Sequence, residues 1–201
     1  GVEFTGNFSN AGKFAIYNLY IDRPDEETIG LFGAIEGAEL DSIILTDMYL
    51  NCKGGGALSG WSVSSFIRNC SSTGEINANS LAAGGLLGYV RTNSQVINCF
   101  SKAQVIGERY AGGLIGTSNE TFISNCNASG DVSGDYIIGG LVGSFSRGTL
   151  EKSFATGRVS GFQAGGGNGV GGLAGYSYSS SIVRDCYATG TVNGPGENAD
   201  G

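Results

Sequence analysis

Apolar and polar residues along the chain alternate with a period of two that is interrupted at regular bends. In each unit an apolar residue is followed by one variable position, a polar residue and then a small or apolar residue. A spacing of two indicates a strand, and a spacing of three marks a bend into the next strand. The matching triplets are Ile16/Asn18/Leu19, Leu40/Ser42/Ile43, Ile67/Asn69/Cys70, Val96/Asn98/Cys99, Ile123/Asn125/Cys126, Leu150/Lys152/Ser153 and Val183/Asp185/Cys186.

Each of these triplets is followed by a corner made of small residues and then by an apolar residue that we expect to point inward. The corner is usually Thr-Gly or Ser-Gly, and the apolar residues are Ile76, Val105, Val132, Val159 and Val192. A second small corner, such as Ser133–Gly134, leads to the next unit. This pattern predicts three short strands per unit, and no ten-residue stretch has the period of a helix.

The phrase GGLxG opens each unit. Clear copies begin at Gly84, Gly112, Gly139 and Gly171, and two looser copies precede them. The intervals between its leucines are 27, 28, 28, 27 and 32 residues, for Leu31, Leu58, Leu86, Leu114, Leu141 and Leu173. A fixed period in this range is typical of a repeat architecture.

The repeat predicts an all-β fold, a right-handed parallel β-helix (β-solenoid) of about seven coils with three short strands each. Stacked units can bury the apolar side that one unit cannot bury alone, because each strand pairs in parallel with its counterpart one coil away. We expect a single domain over residues 1–192, with coils that start near residues 4, 30, 56, 84, 112, 139 and 171. A longer loop is expected between Val159 and Gly171, and residues 193–201 are interpreted as a linker or the start of a following segment.

Glycine accounts for 37 of 201 residues, and only two residues are proline. Such a glycine content can indicate disorder, but 40% of the residues are hydrophobic and they recur in register. We therefore expect the glycines to lie where a corner needs positive φ or where two backbones approach closely.

Two columns, each a set of equivalent positions in successive coils, carry distinctive residues. Cys70, Cys99, Cys126 and Cys186 share one column, whereas Cys52 lies outside it. A buried column of small apolar side chains is the favoured interpretation, although stacked neighbours could come within disulfide range. Asparagines recur in the second column, which predicts a hydrogen-bonded ladder or, alternatively, an exposed solubilising edge, for Asn18, Asn69, Asn98 and Asn125.

The net charge of −7 and the absence of Lys/Arg runs argue against nucleic acid or an anionic membrane as the partner. No apolar stretch approaches the roughly 18 residues that span a bilayer. The chain begins with GVEFTGNF and no signal peptide, so we interpret it as a mature product or an excised piece.

The combination of GGLxG with a later NC(Y/F)ATGxV resembles the GLUG motif. The best copy is GGLAG at Gly171–Gly175 with DCYATGTV at Asp185–Val192. Partial copies pair GGLVG with KSFATGRV at Lys152–Val159 and GGLIG with NCNASGDV at Asn125–Val132. The opening FTGNF…IYNL resembles the segment that precedes such repeats, and the chain departs from the motif at GALSG, at Ser153 and at KAQV (Lys102–Val105).

The resemblance implies a secreted or cell-surface protein, mostly bacterial, in which GLUG repeats are accessory to catalytic regions located elsewhere, as in some immunoglobulin A peptidases and adhesin-like proteins. It implies a non-enzymatic structural or adhesion module. The implied partners are other domains of the same larger protein, end-to-end stacked copies, a glycan or a host or cell-surface protein.

The residues point to no catalytic or metal site and no cofactor. A polysaccharide-active β-helix needs paired carboxylates on one face, whereas the column before the inward valine mixes charges: Glu75, Gln104, Asp131, Arg158 and Thr191. Calcium-binding nonapeptides are absent, and GGGNGVGG at 165–172 contains no acid. Ice binding is a further alternative, but a lysine interrupts the column that would carry it: Thr73, Lys102, Ser129, Thr156 and Thr189.

Aromatic residues are the remaining functional indication. One column contains Trp61 and Tyr89, and a second contains Phe100, Phe154 and Tyr187. Exposed rings could stack on sugars or contact a partner, and rings also pack against neighbouring loops. Trp61 and Tyr89 are thus the binding candidates, with a carbohydrate-binding solenoid or a remnant polysaccharide-active enzyme as the alternative function. Glycosylation sequons occur at Asn7, Asn69, Asn119 and Asn127.

Overall fold

A computed structural model of the chain describes residues 3–12, 14–162 and 169–194. These residues form short β-strands and no helix, and consequently no helix that could span a membrane. The strands are β1 (Asn7–Ser9), β2 (Ala15–Tyr17), β3 (Tyr20–Arg23), β4 (Phe32–Glu36), β5 (Glu39–Asp41), β6 (Ile44–Cys52), β7 (Gly55–Gly56), β8 (Ser59–Val63), β9 (Phe66–Arg68), β10 (Ser71–Ala78), β11 (Ala82–Gly84), β12 (Leu87–Arg91), β13 (Gln95–Ile97), β14 (Phe100–Ser101), β15 (Gln104–Gly107), β16 (Tyr110–Gly112), β17 (Ile115–Asn119), β18 (Phe122–Ser124), β19 (Asn127–Ala128), β20 (Val132–Gly134), β21 (Ile137–Gly139), β22 (Val142–Ser146), β23 (Thr149–Glu151), β24 (Phe154–Ala155), β25 (Val159–Gly161), β26 (Gly169–Gly171), β27 (Ala174–Tyr178), β28 (Ile182–Arg184), β29 (Tyr187–Ala188) and β30 (Val192–Asn193).

Four parallel sheets run along the stack. Sheet A is β4-β8-β12-β17-β22-β27, and sheet B is β1-β5-β9-β13-β18-β23-β28. Sheet C contains β2, β3, β6, β10, β14, β15, β19, β20, β24, β25, β29 and β30, and sheet D is β7-β11-β16-β21-β26. Each strand pairs in parallel with its counterpart one coil away, so the predicted β-solenoid is confirmed, with about six turns, close to the seven predicted. The right-handed sense stays a prediction.

A complete coil contains five short strands distributed over four sheets, as β12 to β16 show, because sheet C takes two strands from each coil, whereas three strands per coil were predicted. The residues interpreted as a second corner, Ser133–Gly134, lie inside β20, and β21 follows it. Glycine weakens a strand but does not prevent strand pairing, so a small residue alone does not mark a corner.

The leucine of GGLxG is the anchor of the core. Leu58, Leu86, Leu114 and Leu141 have no exposed surface. The amide of Leu86 donates to the carbonyl of Leu114 at 2.9 Å, and Leu114 donates to Leu141 at the same distance. The predicted inward residues Ile76, Val105, Val132 and Val159 are also buried. The inward burial of both columns is therefore confirmed in these coils, whereas Val192, predicted inward in the last coil, is 40% exposed because no further described coil covers it.

The glycines of the phrase are required by close backbone approach. A Cβ on Gly84 would overlap the carbonyl oxygen of Leu87 and would lie 2.7 Å from the amide nitrogen of Gly116 in the next coil. Among the described glycines, positive φ occurs at Gly37 and Gly74, outside the GGLxG copies. Close backbone approach, and not positive φ, therefore explains the glycines of GGLxG.

The recurring asparagines occupy a left-handed corner. Asn69, Asn98 and Asn125 have φ of 55°, 54° and 54°, a region that asparagine tolerates better than most residues. Asn98 donates to the side chain of Asn69 at 3.4 Å, but Asn69 donates to Asp41 and Asn125 to Ser124. The predicted ladder is therefore limited to one amide pair, and backbone conformation better explains the recurrence of asparagine.

The first coil has a different register from the predicted one. Phe8 of β1 pairs with Leu40, and Ile16 of β2 pairs with Leu45 in sheet C. Asn18 donates its amide to Thr46, so it lies at a bend inside sheet C and outside the asparagine column. In the first coil, Phe8 and the corner residue Asn10 therefore take the positions predicted for Ile16 and Asn18. The loop predicted after Val159 and the tail fall largely on residues outside the described ones, 163–168 and 195–201.

Candidate functional site

The cysteine column is a buried row of free thiols. Cys70, Cys99 and Cys126 have no exposed surface, Cys186 is partly exposed, and Cys52 is buried outside the column. Each thiol of the column faces the carbonyl oxygen two residues earlier, as for Cys70 and Arg68 at 3.1 Å. Ser153 makes the equivalent hydrogen bond to Glu151 at 2.7 Å, which explains why serine can replace cysteine there. The interpretation as a buried column of small side chains is confirmed.

Burial raises the pKa of three of these thiols, whereas a hydrogen bond with Cys99 lowers the pKa of Cys70, which has no exposed surface. Burial raises the pKa of Cys52 to about 11 and that of Cys99 well above the ordinary thiol value, and it also raises the pKa of Cys186. The thiolate is the reactive form, so modification at neutral pH should be slow and should accelerate as the pH rises.

We expect iodoacetamide to label Cys186 of the folded protein and to leave the other four cysteines unlabelled. Intact mass should show one adduct in buffer and five in denaturant, since the chain contains five cysteines. Peptide mapping would identify the site. A disulfide, or labelling of Cys99 before Cys186, would contradict the described geometry.

Trp61 and Tyr89 do lie together, on the outer surface of sheet A. Tyr89 pairs with Trp61 in the register of β8 and β12, and their ring centroids are 5.3 Å apart with a tilt of 46°. The guanidinium carbon of Arg91 lies 4.9 Å from the centre of the Trp61 ring. Burial of the Tyr89 hydroxyl raises its pKa. Both neighbours that hold the indole come from the coil that follows it.

A groove borders Trp61 on the side of the preceding coil. The residue paired with Trp61 in β4 is Ala34, the smallest side chain of this column, whose other members are Tyr89, Thr117, Ser144 and Tyr176. The groove has a volume of about 630 Å³ and is lined by Glu3, Phe4, Thr28, Leu31, Phe32, Gly33, Ala34 and Trp61. Such a volume is within the range of about 300–1,000 Å³ that small-ligand sites have.

Trp61 was predicted from the sequence, whereas Glu3, Thr28 and Arg91 were not. Thr28 has a φ of 57°, which is unusual for a β-branched residue. Its backbone lies against Gly60, where a Cβ would overlap the Thr28 carbonyl carbon. The small Ala34 next to Trp61 in one column was a sequence signal for the groove. Nothing in the repeat spacing linked residues 3 and 28 to it.

The second aromatic column is less suited to binding. Phe154 and Tyr187 stack on each other, with centroids 4.9 Å apart and an angle of 3°. Phe100 borders a smaller notch of about 410 Å³ lined also by Ser42, Ile44, Asn69 and Ser71. Tyr187 is 54% exposed and Trp61 is half-buried, so the second column has the more exposed rings, but the space beside it is the smaller of the two.

The acidic residues weighed for catalysis have structural partners. Glu75 accepts a hydrogen bond from Asn77 at 2.6 Å, and Asp131 accepts one from the amide of Arg158 at 2.9 Å. Arg184 beside Glu151 lowers the pKa of that carboxyl, with 2.8 Å between Nε of the arginine and the carboxylate. Within the described ranges, no group of three or more metal-ligating side chains converges.

The sequons differ in how far their asparagines are engaged. Asn7 is exposed in β1, and Asn127 is half-buried in β19. Asn69 donates to Asp41 at 2.8 Å, and Asn119 donates to Ser146 at 2.7 Å. Attachment of a glycan to Asn69 or Asn119 would disrupt a contact between coils.

The comparisons with known proteins agree with this architecture. The GLUG motif family matches residues 166–193. A crystal structure of a candidate immunoglobulin A1 protease from Bacteroides ovatus has the same fold, with a TM-score of 0.59 and 19% identity over 94% of this chain and 67% of that one. No protein of curated function matches in sequence. The chain is therefore a β-solenoid with a match to the GLUG motif at residues 166–193, and the GGLxG phrase of that motif recurs earlier in the sequence.

Proposed function

We propose that this chain is a non-enzymatic, extracellular module of a larger surface or secreted protein, in which it acts as a rigid spacer and interaction surface. The observation that carries the proposal is the constant register of the stack. Strands pair residue for residue from coil to coil, and within the described strands the register shifts once, between Ser72 and Gly74. About six turns at roughly 4.8 Å each give a rod section on the order of 30 Å.

Other observations support the extracellular and non-enzymatic parts of the proposal. The GLUG motif and the likeness to a protein named as an immunoglobulin A1 protease candidate favour a secreted or surface location. Glu75 and Asp131 each accept a local hydrogen bond, and the neutral Gln104 lies between them in the column. The proposed partners are the other domains of the same larger protein or a cell-surface molecule.

The spacer role is tested by lengthening the rod. Variants carrying two or four additional copies of residues 112–138, one coil each, should fold and should lengthen the maximum dimension in small-angle X-ray scattering by about 10 and 19 Å. In parallel, the chain should release no reducing ends from polysaccharides and no fragments from immunoglobulin A1. Aggregated or unfolded variants would contradict the spacer role, and turnover that co-purifies with the chain would contradict the non-enzymatic role.

A second candidate function, carbohydrate binding, is favoured by one specific observation: the groove in front of Trp61.

A further inference from the structure

The indole of Trp61 is fixed from one side and borders open space on the other. Tyr89 and Arg91, both on β12, contact the ring from the following coil. The preceding coil places only the methyl group of Ala34 at the paired position. A ring held in this way presents a preorganised flat surface, which lowers the entropic cost of binding.

The groove in front of this ring combines apolar and polar groups. Phe4 and Phe32 pack together with ring centroids 4.9 Å apart and form its apolar wall. Its lining also includes two residues with polar side chains, Glu3 with a carboxylate and Thr28 with a hydroxyl. The Thr28 hydroxyl donates to the carbonyl oxygen of Glu27 at 2.7 Å, which leaves its oxygen as an acceptor for a ligand hydroxyl.

We propose that this groove binds a neutral sugar ring. The apolar C–H face of a pyranose would stack on Trp61 in the space left by Ala34, and its hydroxyls would bond to Glu3 and Thr28. The chain's net charge is −7, and none of the residues described as lining the groove is basic, which disfavours an anionic sugar. The inference rests on the proposed role as an extracellular interaction surface, since it names the ligand of that surface.

Trp61 is the single tryptophan of the chain, so intrinsic fluorescence reports on this groove directly. We would titrate the protein with four neutral trisaccharides, cellotriose, maltotriose, laminaritriose and triacetylchitotriose, and with anionic 3′-sialyllactose. At least one neutral trisaccharide should give a saturable change in Trp61 emission. Absence of a saturable change with all four, or a response to sialyllactose alone, would overturn the proposal.

The variant Ala34→Tyr fills the proposed space without introducing a new kind of packing, because Tyr89 and Tyr176 occupy the same column in other coils. It should weaken binding at least tenfold while the circular dichroism spectrum and melting temperature are retained. Tyr176→Ala, at the far end of the column, is the matched control and should bind as the original chain does. Unchanged affinity in Ala34→Tyr would overturn the assignment of the site.

The variant Glu3→Gln tests the polar groups of the groove independently of the Trp61 ring. It keeps the shape of the side chain and removes a charged acceptor, so affinity measured by titration calorimetry should fall several-fold. An unchanged affinity would exclude Glu3 from the site.

Failure of this inference and failure of the proposed function give different results. Loss of sugar binding leaves the scattering of the lengthened rods untouched, in which case only the ligand assignment is wrong. Binding accompanied by release of cleaved sugar would instead retain the site and overturn the non-enzymatic role.

Discussion

Replacing Gly112 with alanine is expected to destabilise the solenoid by at least about 4 kcal/mol, and the isolated variant should be largely unfolded at 37 °C. The added Cβ would overlap the carbonyl oxygen of Ile115 and would lie 2.6 Å from the amide nitrogen of Gly143. Both atoms belong to backbone that is bound into the stack, so neither can move away as a flexible side chain would. Urea unfolding followed by circular dichroism measures the effect.

Gly194→Ala is the matched control for this substitution, because a Cβ there would meet nothing within 4 Å. It should unfold within about 0.5 kcal/mol of the original chain. Equal stability of the Gly112 and Gly194 variants would refute the conclusion that close backbone approach, and not a general need for flexibility, selects the glycines of GGLxG.

The second large effect is expected for Phe145→Ala. Phe145 is completely buried in β22, where its paired neighbours one coil away are the small residues Ser118 and Ser177. Large and small side chains thus complement each other along the column, and truncation leaves a cavity that these serines cannot fill. We expect a loss of about 3–5 kcal/mol in the free energy of unfolding.

Phe162→Ala makes the same chemical change at a side chain that is 63% exposed. Its expected cost is below about 0.5 kcal/mol. The difference between the two variants, measured in one urea series, isolates the contribution of burial. A comparable loss for both would show that Phe145 does not lie in the core as described.

Much of the fold could be predicted because the repeat carries its own register. The leucine and valine columns follow directly from the period, and Leu86 and Val105 are both buried as expected. Four sheets were not predicted, since Ser133–Gly134 has the composition of a corner but the extended backbone of a strand. The first coil was misaligned because Phe8 and Ile16 both begin acceptable patterns, and only pairing with Leu40 distinguishes them.

The candidate site could be predicted only in part. Trp61 and Tyr89 share a column, so their contact followed from the period once the coils were aligned. Arg91 lies two residues beyond Tyr89 on the same strand, and its position over the indole depends on side-chain geometry that spacing does not encode. Thr28 and Glu3 come from segments outside the repeat pattern, so their presence in the groove required the structure.

Because each strand pairs with the strand one coil away, adding a coil requires closure of a loop of nearly constant length, about one repeat, however long the chain is. The entropy lost in that closure is therefore nearly the same at every step, and it is compensated each time by the same leucine and valine burial. Sequence separation between contacting residues stays near one repeat while the chain grows, so relative contact order falls with length. Longer versions of this solenoid should consequently fold by sequential growth from any formed pair of coils, without the slow step that distant strand pairing imposes on other all-β proteins.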